Sequence, residues 1–86
     1  MEFLEGDYKA DNGKNYFEIA LNLKTGDKVL IKNASCTAVA LEMALKLWGE
    51  EYCFYQKNLI KIFYIGDDEA MTDVYSKIPK KYKKYF

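Results

Sequence analysis

The side chains whose types and spacing bear on chemistry are few. They are Cys36 and Cys53, the acids Asp67, Asp68, Glu69 and Asp73, and the lysines and tyrosines of residues 79–86. Histidine and arginine are absent, so all 13 basic side chains are lysines. Histidine is the commonest general acid or base because its ordinary pKa lies between about 5 and 8. Arginine supplies the planar fork that clamps carboxylates and phosphates. Without either, the usual hydrolase, phosphoryl-transfer and zinc-hydrolase constellations cannot be assembled, and the chain is not expected to be an enzyme. Cys36 falls near a predicted helix start, but a cysteine nucleophile normally needs a base beside it. Only a lysine, a carboxylate or a substrate group is available for that role. Both cysteines read as small buried side chains, and two isolated thiols without histidine make no zinc site. No metal and no cofactor is expected.

The end of the chain is its most distinctive segment. If residues 79–86 are helical, Tyr82, Tyr85 and Phe86 share one face, with Lys80, Lys81, Lys83 and Lys84 around them. Lysines among aromatics suit a nucleic-acid strand, an anionic membrane surface or a protein partner. The plainer alternative docks the aromatics on the core and leaves the lysines in water. Lys61-Ile62-Phe63-Tyr64 lacks the glycine pattern of an RNA-recognition motif. The acidic cluster lacks the spacing of an EF-hand. It either imitates phosphates toward a basic partner or stabilises a helix N-terminus through the dipole. Lys80, Lys81, Tyr82, Lys83, Lys84, Tyr85 and Phe86, with Asp67, Asp68, Glu69 and Asp73, are therefore the candidate partner-binding residues.

The elements that position these groups follow from composition and pattern. Eighty-six residues, half of them hydrophobic and 30% charged, make one globular domain spanning residues 1–86. Acids and lysines balance at 13 each, which argues against an overall polycation or polyanion. The layout is uneven. Residues 37–75 carry seven acids against three lysines, and residues 76–86 carry five lysines and no acid. Eight tyrosines are too many to bury with their hydroxyls satisfied, so some belong at the surface, where tyrosine is typical of interfaces. The chain opens on acids rather than a basic-then-apolar leader. Its longest apolar-rich stretch, residues 38–48, falls short of the roughly 20 that span a membrane, and a cytoplasmic location is expected.

Hydrophobic period supplies the order of elements. Residues 4–10 read as a weak strand interrupted by Gly6, and Asn12-Gly13 as a type I′ hairpin turn. Phe17, Ile19, Leu21 and Leu23 alternate with polar or small residues, the mark of a strand with one buried face. A turn at residues 24–27 leads to a third strand, residues 28–32. From Asn33 the period lengthens, and Leu41, Leu45 and Trp48 predict a helix over residues 38–48, capped by Asn33 or Ser35 and closed by Gly49. Residues 51–56 and 59–65 read as a second hairpin turning at Lys57-Asn58. A second helix begins near Gly66-Asp67-Asp68, turns Met71, Val74, Tyr75 and Ile78 inward, and stops at Pro79.

The expected fold is α+β, with order βββαββα. A mainly antiparallel five-stranded sheet is covered on one face by the long helix, with the C-terminal helix at an edge or on the same face. The expected function is non-enzymatic binding of a protein partner, with nucleic-acid binding through the lysine- and tyrosine-rich end as the alternative. A homodimer, basic end against acidic helix, is a third arrangement. Lysine without arginine, five asparagines and one proline are what AT-rich codons encode, pointing to a low-GC genome such as a firmicute or one of its phages. Small inhibitors of host machinery, anti-CRISPR proteins among them, are the class of protein expected from such a source.

Overall fold

The computed structural model describes residues 2–49, 59–67 and 74–86. Its elements are β1 (Glu2–Glu5), β2 (Tyr16–Asn22), β3 (Lys28–Lys32), α1 (Thr37–Trp48), β4 (Ile60–Asp67), α2 (Val74–Lys77) and a closing 3-10 helix, Lys80–Tyr85. They form a small compact α+β domain with a mixed four-stranded sheet among the described residues, in the order β1-β3-β2-β4. The expected five-stranded, mainly antiparallel sheet is therefore corrected. The strand predicted at residues 51–56 and the turn at Lys57-Asn58 lie outside the described residues.

The first hairpin is also corrected. Its turn forms, with Gly13 at φ 75°, the Gly13 N–H donating to the Ala10 carbonyl (3.0 Å) and the Lys14 N–H to Asn12 Oδ1 (2.9 Å). The strand before it does not pair with β2, because β3 and β4 hold both edges of that strand. β1 instead adds beyond β3 and runs parallel to it, Phe3 opposite Leu30 and Leu4 opposite Ile31. The turn thus bends a connecting loop.

The β2–β3 hairpin forms as its sequence implies, around a buried asparagine. Asn22 Oδ1 accepts from the N–H groups of Lys24 (2.9 Å) and Thr25 (3.2 Å), which satisfies the polar head inside the sheet. Gly26, at φ 81°, closes the turn by donating to the Asn22 carbonyl (2.7 Å).

Alternation predicted one buried face for β2, but every residue from Phe17 to Asn22 is buried. The sheet is covered on both sides. On one, α1 brings Ala40, Ala44 and Leu45 against Ala20, Val29, Ile31 and Ile60. On the other, Ile78, Val74, Tyr82 and Phe86 close over Phe17, Ile19, Leu30 and Ile65. Successive β2 side chains point to opposite faces, so Ile19 and Ala20 enter different cores. The C-terminal elements thus lie on the face opposite α1, neither at an edge nor beside it. α2 is only four residues long, and Tyr75, predicted inward, is 56% exposed.

Candidate partner-binding site

Asn33 organises the end of the sheet where surface tyrosines gather. It adopts φ 59°, a left-handed conformation that asparagine tolerates better than most side chains. Its N–H donates to the Tyr16 carbonyl (2.7 Å), and its Oδ1 accepts from the Tyr16 N–H (2.9 Å). Its Nδ2 donates to Asn15 Oδ1 (2.9 Å), and its carbonyl accepts from the Tyr8 N–H (3.1 Å). Neither Asn33 nor Ser35 caps α1. Cys36 holds that position in extended backbone and makes no side-chain capping bond. Gly6 donates to the Lys32 carbonyl (2.7 Å) and lies so close to Asn33 that a Cβ there would run into its carbonyl oxygen. Gly6 and Asn33 together hold the loop after β1 against the start of β2.

That loop delivers Tyr8 to Tyr16, ring centroids 5.9 Å apart, and Tyr16 in turn lies 6.5 Å from Tyr64 of β4. Glu18 shares this face of the sheet, two residues along β2 from Tyr16 and directly opposite Tyr64. It is only 8% exposed, and its Oε2 is buried with no hydrogen-bond partner among the described residues. Burial raises its carboxyl pKa above the ordinary 4.5. The Tyr64 hydroxyl is also raised, by desolvation first and then by Asp67, Tyr16 and Glu18. A β-bulge between Phe17 and Glu18 sharpens the local twist, and Tyr64 is 59% exposed.

A groove between β1 and α1 leads to these tyrosines. One part, about 290 Å³, is lined by Leu4, Glu5, Met43, Lys46 and Leu47. A cleft of about 540 Å³ shares Glu5 and Met43 and continues to Asp7, Tyr8 and Val39. Among the described residues β1 is an edge of the sheet. Gly6 turns its N–H toward the Lys32 carbonyl of β3, so by alternation along β1 Phe3 and Glu5 turn theirs outward.

The C-terminal candidates occupy the opposite face. Tyr82 packs on Phe63, centroids 5.2 Å apart, and Phe86 joins the same core. The Tyr85 carbonyl accepts from Lys28 Nζ (2.6 Å), which also lies 5.0 Å from the Phe86 ring. Lys80, Lys81 and Lys84 stay exposed, Lys83 is half-buried, and Lys83 Nζ lies 4.6 Å from the Tyr75 ring. Of the predicted acids, Asp67 ends β4, exposed, 3.5 Å from Lys14 Nζ. Asp68, Glu69 and Asp73 lie outside the described residues, as do Cys53 and Met71. Cys36, expected to be buried, is exposed.

Glu18, Tyr8, Tyr16, Tyr64 and the groove were not among the candidates read from the sequence. The signal available was Glu18, one carboxylate inside the otherwise apolar run Phe17 to Leu21. Among the described residues no helix is long and apolar enough to cross a membrane. No protein-family model matches this chain, and no curated protein and no solved structure matches it.

Proposed function

We propose that this chain is a non-enzymatic protein-binding module whose partner docks on the β1 edge and the adjoining α1 groove. The observation that supports this reading is the pairing of a strand edge, open among the described residues, with an apolar groove beside it. An incoming extended segment finds the outward N–H and C=O groups of β1 for ladder bonds, as in β-strand addition. Its alternate side chains meet Leu4, Met43 and Leu47 on one face and Phe3, 51% exposed, on the other. Exposed Glu5 and Asp7 flank the strand, which favours a partner with basic residues and disfavours self-pairing of two β1 strands. The class of partner proposed is host machinery blocked by a small inhibitor encoded by a phage or mobile element, an anti-CRISPR being one such case; residue usage bears only on the low-GC source.

The test is affinity capture from a bacterial lysate, quantified by mass spectrometry, with wild-type chain and with Leu47→Lys and Phe3→Lys. A partner held at moderate salt by wild type and lost by both variants supports the reading. Capture no greater than background, or an identical captured set with all three baits, removes it.

One observation favours a second reading. Tyr75 is exposed, with Lys83 against its ring and Lys77, Lys80, Lys81 and Lys84 also on this end of the chain. That pairing of a ring and cations suits a single-stranded nucleic acid. It predicts salt-sensitive binding of single-stranded DNA that Tyr75→Ala abolishes, measured by fluorescence anisotropy. Tyr82 and Phe86 contribute nothing to stacking there, because both are packed on the core.

A further inference from the structure

We propose that Glu18, Tyr8, Tyr16 and Tyr64 form a receptor for a cationic side chain presented by the protein partner. The inference rests on the protein-binding reading and adds a second point of recognition at the tyrosine end of the same surface.

The starting point is a carboxylate in an unusual position. Buried charged groups in folded chains are paired or hydrogen-bonded, because an unpaired one loses its hydration without replacement. Glu18 Oε2 has no such partner among the described residues. Its neighbours across the sheet do not provide one. Ile31 lies opposite on β3, and Tyr64 lies opposite on β4. Lys32 points to the other face and pairs with Glu5 at 3.9 Å, and Lys14 pairs with Asp67 at 3.5 Å. Lys32 and Lys14 are thus engaged elsewhere.

The surroundings are suited to an organic cation. Three tyrosine rings lie in one chain of contacts, 5.9 and 6.5 Å between centroids, tilted at 31° and 42°. Aromatic faces attract alkylammonium and guanidinium groups through the ring quadrupole, and the attraction grows where water is excluded. A carboxylate within the same patch supplies the opposite charge. Asp67, three residues beyond Tyr64 at the end of β4, is already paired with Lys14, so the opposite charge in the patch is that of Glu18. Tyr8 also lines the cleft, so a segment lying along β1 has its end directed at these rings. A partner strand with apolar residues against Leu47 and Met43 then places a lysine or arginine at Tyr8 and Glu18.

The probes are three short blocked peptides, acetyl-Gly-Lys-Gly-amide and its arginine and norleucine counterparts, titrated into the full chain. The readouts are the Glu18 carboxyl carbon and the Tyr64 ring resonances by NMR. The expected result is a saturable shift of both signals with a cationic peptide and none with norleucine, which is isosteric in its stem but uncharged. Whichever of lysine and arginine binds more tightly identifies the cation. Glu18→Gln, which keeps the shape and removes the charge, is expected to weaken binding about tenfold, and Tyr64→Ala several-fold. Equal shifts with norleucine, no shift with either cation, or unchanged binding in Glu18→Gln would overturn the proposal. A protein captured by wild type and held equally by Glu18→Gln also sinks it, while leaving the protein-binding reading intact. Failure of that reading appears separately, as no captured partner at all.

Discussion

Aromatic residues meet both faces of the sheet, but they end in opposite situations. On the C-terminal face Tyr82 and Phe86 cover Phe63, Ile65 and Ile78 and complete a core. At the far end of the α1 face Tyr16 contacts both Tyr8 and Tyr64, Glu18 lies opposite Tyr64 on the same face, and Tyr8 and Tyr64 remain exposed. The first set has apolar partners within the chain. The second set lies beside a buried carboxylate whose Oε2 has no hydrogen-bond partner among the described residues. On the reading proposed above, similar side chains serve folding on one side and recognition on the other, and what decides between them is what lies beside them.

Stability measurements should separate the two sets most clearly. Replacing both Tyr82 and Phe86 by alanine removes the lid over Ile65 and Ile78, and the expected loss is roughly 3–5 kcal/mol by urea denaturation. Tyr64→Ala, at a residue 59% exposed, is expected to change stability by less than about 0.5 kcal/mol. If the two changes prove equal, the contrast between a folding face and a recognition face is broken.

Asn33 tests how the tyrosine end of the sheet is assembled. Asn33→Ala removes the acceptor for the Tyr16 N–H, orphans Asn15 Oδ1 of one donor, and places alanine at a positive φ. A loss of about 2 kcal/mol is expected. Asn33→Gly relieves the backbone strain but not the lost side-chain bonds, so it should recover part of that loss. The Tyr8–Tyr16 ring contact should weaken in both variants, as a loss of cross-peaks between the rings, with the Phe63–Tyr82 contact unaffected. A change at Phe63 and Tyr82 of equal size would mean that Asn33 supports the whole fold and not this end alone.

The sequence carried the local structure better than its assembly. β3 and the long helix fall within a residue of their expected bounds, because a turn with the right chemistry or a 3.6-residue stripe marks them. The place of β1 was not legible. Asn12-Gly13 is a strong turn signal, but whether a turn joins paired strands depends on which edges of β2 are already occupied. The double burial of β2 was hidden for a related reason. Ala20 and Asn22 look like the outer side of an alternating strand, and only the packing of α1 over that face reveals them as inner. The candidate site suffered most. Lysines beside tyrosines at residues 79–86 are adjacent in sequence and so draw notice, whereas Tyr8, Tyr16, Glu18 and Tyr64 are joined by strand pairing and by Asn33. Such groupings arise from register, which alternation alone does not supply.

Glu18 offers a smaller effect than Asn33 but the most specific one, since it gives the two faces different responses to pH. Its carboxyl pKa is raised in the folded state above the ordinary 4.5 by burial. Below that value the group is protonated whether the chain is folded or not, and it imposes no penalty. As the pH climbs through 4.5, the unfolded chain releases its proton first, so unfolding is favoured and stability falls until the folded-state carboxyl also ionises. Glu18→Gln has no proton to release. Its stability should match wild type near pH 4 and exceed it at pH 7 by on the order of 1 kcal/mol, the difference opening across the carboxylate range. Tyr82→Ala should lower the stability curve at every pH and leave its slope unchanged. Urea midpoints of the three proteins from pH 4 to 8 measure this directly. A constant gap between Glu18→Gln and wild type would show that the buried carboxylate is not ionising against its surroundings, and the charge at the centre of the tyrosine cluster would lose its role.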